Sequence, residues 1–192
     1  MKAFEIEAEA HRTFVRFYEA DEKIQLADAT ATFNWRRVAG DPLPERPELA
    51  EFELGKRGYA ERDKMQIDAS KSAEACEQEA EKYRENKSTF KLARSQGTLR
   101  KQAQKKVRTL RSRAANLRKM SVVATADVED QEKQLRIAVE RIQSSSSGDW
   151  EEVAASLRLA IEEKKRYIPT VNAAAEAYEA AMHAWDAVRK LK

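Results

Sequence analysis

Residues 103–142 read AQKKVRTLRSRAANLRKMSVVATADVEDQEKQLRIAVERI, and small or apolar side chains recur through this segment at alternating spacings of four and three residues. Ten of the twelve positions in this series are apolar, and the other two are Ser121 and Gln131. A repeat that averages 3.5 residues keeps one narrow stripe of a helix facing its partners and favours a left-handed supercoil. The segment therefore predicts a long coiled-coil-like helix with its helix-association seam at Val107, Leu110, Leu117, Val128, Leu135 and Ile142.

The composition of the whole chain agrees with long helices. Of 192 residues, 36% are charged and only 7% aromatic, and there are 5 glycines and 4 prolines to make turns. Abundant Ala, Glu, Lys, Arg and Leu with few helix breakers is typical of coiled coils and long helices. No alternating pattern of a β-strand competes with this interpretation.

Clusters of helix-breaking residues divide the chain into four predicted helices. Residues 40–47 contain Gly40 and three prolines, which lack a backbone donor and disfavour helix in the residue before them. Residues 144–148 read SSSSG and form a predicted loop, and Gly97-Thr98 is a weaker break between these two clusters. The expected fold is all-α, an elongated antiparallel bundle of three to four long coiled-coil-like helices at about 2–37, 47–95, 98–143 and 150–191.

We interpret the whole chain, 1–192, as a single elongated helical domain. Its predicted parts are an N-terminal helix at 2–37, a proline-rich linker at 38–47 and a three-helix antiparallel coiled coil at 47–192. Pro169 lies inside the last predicted helix, where it removes the hydrogen bond to the carbonyl of Lys165. Because the apolar seam continues in phase on both sides, Pro169 is expected to kink the helix without ending it.

The break at Gly97 allows two interpretations. The apolar seams before and after this residue do not meet in register, and a glycine at the mismatch followed by Thr98 favours a tight antiparallel turn. The alternative is one bent helix from Pro47 to Gln143. With a turn at Gly97, the arginines and lysines of residues 111–119 would face glutamates of residues 74–85 across the hairpin.

Basic residues are concentrated on both sides of Gly97. No acidic residue occurs from Asn86 through Ala126, whereas twelve lysines and arginines do. One interpretation is a solvated helix face, since Lys and Arg are good helix formers. Such faces usually mix both signs of charge, however, so the excess favours a basic hairpin tip for an anionic partner. The predicted binding residues are Lys87, Lys91, Arg94, Arg100, Lys101, Lys105, Lys106, Arg108, Arg189 and Lys190.

Patterns that would carry catalysis are missing from the sequence. No glycine-rich phosphate loop occurs, and His11 and His183 each follow a glutamate by four residues, not by the three of di-iron bundles. We expect His11 to be a half-buried seam residue and His183 a surface residue. Cys76, the one cysteine, lies at a seam position among alanines and is expected to be a small core residue. The chain is therefore predicted to be no enzyme, with no catalytic residue, cofactor, metal or small-molecule substrate.

The sequence also lacks membrane and export signals. No segment approaches the ~18 consecutive apolar residues that span a bilayer, and the first residues, MKAFEIE, lack the apolar core of a signal peptide. These features predict a cytoplasmic protein, with attachment to the periphery of a membrane as an option. The layout of long kinked helices with a basic hairpin tip is similar to that of BAR domains, crescent-shaped dimers that curve membranes. That similarity implies an anionic lipid surface as the partner.

Three functions remain open at this point. The first is a non-enzymatic scaffold or adaptor that acts through helix–helix association, as a homo-oligomer or with a partner helix, and offers the basic tip to an anionic partner. Polar seam residues such as Gln131 and Lys164 favour this function, because they can fix register and partner choice. The second is a peripheral membrane-binding protein on anionic lipid. The third, less favoured, is non-specific binding of double-stranded nucleic acid.

Overall fold

The structure is a computed structural model that describes the backbone of residues 2–40, 47–85, 89–144 and 148–190. Side chains are described for residues 2–18, 21, 24–40, 64–84, 97–144 and 148–190. Within these ranges every regular element is an α-helix and no strand occurs, which confirms the predicted all-α class. The helices are α1 (Lys2–Ala39), α2 (Pro47–Glu85), α3 (Thr89–Ser144) and α4 (Asp149–Lys190).

Two helix ends lie at the breakers that the sequence offers. Gly40, directly after α1, has a φ of 78°, a left-handed conformation that residues with a Cβ rarely adopt. Helix α4 begins at Asp149, and the carbonyl of Gly148 accepts a hydrogen bond of 3.3 Å from the N–H of Glu152. Asp149 and Glu152 also place negative charge at the positive end of the α4 dipole.

The predicted turn at Gly97 is wrong. Helix α3 begins at Thr89 and continues through Gly97 to Ser144, and α2 already ends at Glu85. The single bent helix from residue 47 to 143 is also wrong, because Nζ of Lys106 lies 3.8 Å from Sγ of Cys76, whereas one helix would place these residues roughly 45 Å apart. Residues 86–88 lie outside the described backbone. A glycine inside a helix costs only about 1 kcal/mol relative to alanine. Burial of the α3 seam, which starts at Ala103, is large enough to offset that cost.

The predicted seams of α3 and α4 are the faces that these helices bury. In α3, Val107, Leu110, Leu117 and Val128 are buried, and Leu135 and Ile142 are partly buried. In α4 the buried series includes Leu157, Val171 and Trp185. Helix α4 runs through Pro169 without a break, as expected, and the kink there stays a prediction. No described helix combines the length and the apolar character needed to cross a membrane.

Contacts divide the chain into two compact units, and each of the four helices contributes residues to both. Unit 1 consists of Met1–Phe17, Met65–Met120 and Val171–Lys192, and unit 2 of Tyr18–Lys64 and Ser121–Thr170. The interpretation of the chain as a single domain stays a prediction.

In unit 1 the helices pack in alternating directions. Phe4, near the start of α1, stacks on Tyr83 near the end of α2 and meets Trp185 near the end of α4 edge-on, with ring centroids 5.6 and 4.8 Å apart. Helix α1 is therefore antiparallel to both α2 and α4. Three turns from the end of α2, the small residues Ala73 and Cys76 are buried, which lets the helices approach closely. This packing is bundle-like.

Unit 2 has an alanine-rich core of its own. Ala31 and Ala138 are fully buried together with Val153 and Leu157. At the edge of this core Trp35 packs edge-to-face against Trp150, with ring centroids 6.1 Å apart. Both tryptophans lie near helix ends, Trp35 close to the end of α1 and Trp150 in the first turn of α4.

Candidate functional sites

The first candidate site is a row of exposed cations on α3 in unit 1. At 3.6 residues per turn, Lys101, Lys105, Arg108 and Lys119 fall on one stripe, and this stripe lies opposite the buried seam of Ala103 and Leu117. Arg111 lies beside the stripe and is also exposed. In the part of the chain whose side chains are described, none of these cations has a carboxylate within salt-bridge distance. We refer to these five residues, 101, 105, 108, 111 and 119, as the basic face.

Other predicted members of the basic tip are placed differently. Arg189 and Lys190 are exposed but pair with Asp186, at 2.6 and 2.7 Å. Lys106 points inward, and its Nζ lies 2.6 Å from a carboxylate oxygen of Glu7. Arg100 is exposed on α3. Outside the described side chains lie Lys87, Lys91 and Arg94.

The expected neutralisation of α3 by the glutamates of α2 is wrong. Arg118 pairs instead with Glu179 of α4, through two hydrogen bonds of 3.1 and 3.0 Å, and these bonds lower the pKa of Glu179. On α2, Glu77 pairs with Arg12 of α1. Two further glutamates of α2 pair with basic residues of their own helix. The basic face is therefore not balanced across an α2–α3 hairpin, because the turn that this pairing requires does not exist.

The second candidate site is a buried polar cluster inside unit 1, centred on Glu7. One carboxylate oxygen of Glu7 accepts a hydrogen bond of 2.8 Å from the indole N–H of Trp185, and the other accepts one of 2.6 Å from Lys106. The Nε2 atom of His11 lies 3.6 Å from the same oxygen as Lys106. Burial alone would raise the pKa of Glu7, but these hydrogen bonds and the charge of Lys106 outweigh it and lower the pKa.

The second ring nitrogen of His11 also has polar neighbours, which hold the orientation of the ring. Its Nδ1 atom lies 3.1 Å from the hydroxyl of Tyr178 and 3.3 Å from a guanidinium nitrogen of Arg113. A guanidinium only donates, so Nδ1 accepts and the proton of neutral His11 lies on Nε2, facing Glu7. His11 is only 2% exposed, more deeply buried than the half-buried position that we expect from the sequence, whereas His183 is exposed as predicted.

Cys76 completes the cluster from α2. It is buried, as predicted, but its neighbours are charged groups as well as alanines, since its Sγ lies 3.8 Å from Nζ of Lys106. Burial raises the pKa of Cys76 to about 11, and the carboxylate of Glu7 adds to this effect. The side chain is therefore a thiol at neutral pH and not a reactive thiolate.

A cavity of about 440 Å³ opens onto this cluster between α2 and α3. The buried side chains of Glu7, His11 and Cys76 line it, and the cationic side chains of Lys106 and Arg113 line it from α3. The cavity thus connects the buried donor atoms with solvent. One donor atom each of Glu7, His11 and Cys76 lies within 4.8 Å of the other two, which is a spacing that could hold a metal ion.

Unit 2 has a buried polar layer of a different kind. Lys164, only 4% exposed, pairs with Asp28 at 2.6 Å and lies 3.5 Å from Asp127. Gln131 donates a hydrogen bond of 2.6 Å to Asp28, and its own carbonyl oxygen has no partner among the described residues. These contacts join α1, α3 and α4 at one level. That Gln131 and Lys164 fix register stays a prediction.

Sequence reasoning misses most of the Glu7 cluster. The pair Glu7 and His11 is visible as a spacing of four, but nothing in the local pattern places Lys106 on the inside of the fold. One signal is available in principle, because a buried tryptophan such as Trp185 needs an acceptor for its N–H and so predicts a buried oxygen nearby. No protein-family model, curated protein or solved structure matches the chain.

Proposed function

We propose that this chain is a non-enzymatic helical adaptor that binds an anionic partner through the basic face of α3. The observation that carries the proposal is the exposed stripe of Lys101, Lys105, Arg108 and Lys119 on the side of α3 opposite its packed seam, where none of the four has a carboxylate partner among the described side chains. Like charges at spacings of three and four residues destabilise a helix by a few tenths of a kcal/mol per pair. An external anionic surface would remove that cost.

The length of the stripe favours an extended partner over a small anion. From Lys101 to Lys119 the helix rises by roughly 27 Å, at about 1.5 Å per residue. A lysine or arginine near an anionic lipid surface contributes about 1 kcal/mol, so five of them suffice for reversible attachment. Peripheral binding to anionic lipid is therefore the second candidate function, and it rests on the same five residues.

Helix association forms the other half of the proposal. The seam of α3 is covered by helices of the same chain, so a homo-oligomer or a partner helix would use other surfaces. We also propose that the helices pack as a left-handed coiled coil and that α4 bends at Pro169. Light scattering on the full chain is expected to show a discrete oligomer. A strictly monomeric species would contradict the proposed helix association but would not bear on the proposed binding of an anionic partner by the basic face.

The test of the anionic partner uses the wild-type chain and three surfaces. Vesicles of neutral lipid, vesicles with added anionic lipid and duplex DNA are offered at low and at physiological salt. We expect binding to at least one anionic surface and none to neutral vesicles, with an affinity that falls as salt rises, because neutralised phosphates release counterions. Binding only to anionic vesicles supports the membrane candidate. Binding that ignores the charge of the surface contradicts the proposal.

A further inference from the structure

Three chemically different donors converge in the interior of unit 1. Glu7 and His11 come from successive turns of α1, and Cys76 comes from α2. All three are buried, and one donor atom of each lies within 4.8 Å of the others. A carboxylate oxygen, an imidazole nitrogen and a thiol sulfur together are the ligand types that zinc and similar borderline-soft divalent ions prefer.

We propose that Glu7, His11 and Cys76 form a binding site for a divalent transition-metal ion of the zinc class. The three side chains all line the cavity of about 440 Å³ between α2 and α3. That cavity gives an ion a path from solvent and leaves space for a water molecule as the fourth ligand. Three protein ligands with one open position are typical of zinc sites that exchange a ligand.

The ammonium group of Lys106 marks the position of a cation in the cluster. Its Nζ lies 2.6 Å from Glu7 and 3.8 Å from the sulfur of Cys76. The Lys106 side chain is 33% exposed at the cavity wall, so it can turn towards solvent when an ion enters. Metal binding is thus an exchange of one cation for another.

The exchange keeps the buried charge balanced. With Lys106 in place, one ammonium faces one carboxylate and Cys76 is a neutral thiol. With a divalent ion in place, the two positive charges face the carboxylate and the thiolate that forms as the thiol loses its proton to solvent. Net charge in the interior is zero in both states, so neither state leaves a buried charge unpaired.

Two further contacts hold the donors for this role. Trp185 donates to one oxygen of Glu7, which leaves the other oxygen on the side of His11. Tyr178 lies against Nδ1 of His11. When Nε2 binds an ion the proton of His11 moves to Nδ1, the exposed guanidinium of Arg113 turns from Nδ1 towards solvent, and the hydroxyl of Tyr178 accepts the Nδ1 proton. Partners of this kind orient metal ligands, and their loss typically weakens metal affinity by about 10- to 100-fold.

The probe is Co²⁺, titrated into the full chain under a non-thiol reductant. Because Cys76 is the one cysteine, a sulfur-to-cobalt charge-transfer band in the near ultraviolet reports that residue alone. We expect this band at a stoichiometry of one ion per chain and its loss when Zn²⁺ is added. No band under these conditions, or visible cobalt bands without it, overturns the site.

Variants separate the site from adventitious binding. Cys76→Ser should abolish the band, and His11→Gln should lose cobalt affinity, whereas the matched control His183→Gln, at the exposed histidine of α4, should bind as the wild type does. Lys106→Met removes the competing cation and should bind cobalt more tightly. Equal affinities of the two histidine variants, or weaker binding by Lys106→Met, contradict the proposal. If a variant does not fold, the charge-transfer band of the wild-type chain decides whether the site exists.

Discussion

Lys164 and Lys165 are neighbours on α4, and each pairs with a carboxylate, but their surroundings differ. Lys164 is buried against Asp28, whereas Lys165 is exposed and holds Glu132 at 2.7 Å. Removal of one partner of a buried pair leaves an uncompensated charge, whereas exposed pairs contribute little. Position in the fold, not residue type, therefore decides what each lysine contributes to stability.

The two lysines give a matched pair of variants. Lys164→Met should lower the free energy of unfolding by about 2 kcal/mol, below the ~3–5 kcal/mol for a fully buried pair because the side chain of Asp28 is 37% exposed. Lys165→Met should change it by less than about 1 kcal/mol. Urea unfolding followed by circular dichroism measures both. Equal effects would show that the polar layer of unit 2 is not buried as described.

Glu7 predicts a pH dependence. Its pKa is lowered in the folded chain from an ordinary value of 4.5, so the stabilisation it provides is fully present above that value and is lost as pH falls through the folded-state pKa. At neutral pH the free energy of unfolding of the wild type should exceed that of the Glu7→Gln variant by about 2 kcal/mol. This difference should shrink in unfolding measured below pH 4.5. A difference that stays constant with pH contradicts the ion pair with Lys106.

Single residues could be predicted from sequence where burial follows residue type. The buried Cys76 and the exposed His183 are such cases. Glu7 and Lys106 are less exposed than residues of their types usually are, because a carboxylate or an ammonium is buried at acceptable cost only when it is paired with an opposite charge. That pairing joins residues 99 positions apart, and no local pattern encodes it.

At the scale of helices, the spacing of apolar residues predicts the packed faces of α3 and α4 well, because a seam of period 3.5 has one possible buried side. The ends of α2 and α3 could not be predicted in the same way. Gly97 is a local signal worth about 1 kcal/mol, and the tertiary contacts of α3 exceed it. Gly40 is different, because its positive φ is needed where α1 ends.

The two glycines test this assignment. Gly97 lies inside α3 and nothing lies within 4 Å of an added Cβ, so Gly97→Ala should stabilise the chain by about 0.5–1 kcal/mol. Gly40 also has open space, but its φ of 78° opposes a side chain, so Gly40→Ala should destabilise by about 1 kcal/mol. Thermal unfolding of both variants measures the signs. Destabilisation by Gly97→Ala would favour the turn that the structure does not contain.

At the scale of the whole molecule, charge distribution matters more than net charge. The chain has 36 basic and 33 acidic residues, a net charge of only +3. Most described cations outside the basic face are matched by a carboxylate, as Arg118 is by Glu179 and Lys106 by Glu7. A local row of unmatched charge can attract an anionic surface even when the protein as a whole is nearly neutral.

The most direct test compares two charge-reversal variants on vesicles that carry anionic lipid. Lys101→Glu, Lys105→Glu and Arg108→Glu change the basic face, and Lys64→Glu, Lys71→Glu and Arg158→Glu change exposed cations elsewhere. Three replacements of two charge units each take the net charge from +3 to −3 in both variants. The first should bind about 100-fold more weakly than wild type, from about 1 kcal/mol per cation removed. The second should keep most of the wild-type affinity. Equal losses in the two variants would contradict an anionic partner at the basic face, and no binding of the wild type to these vesicles would contradict the membrane candidate.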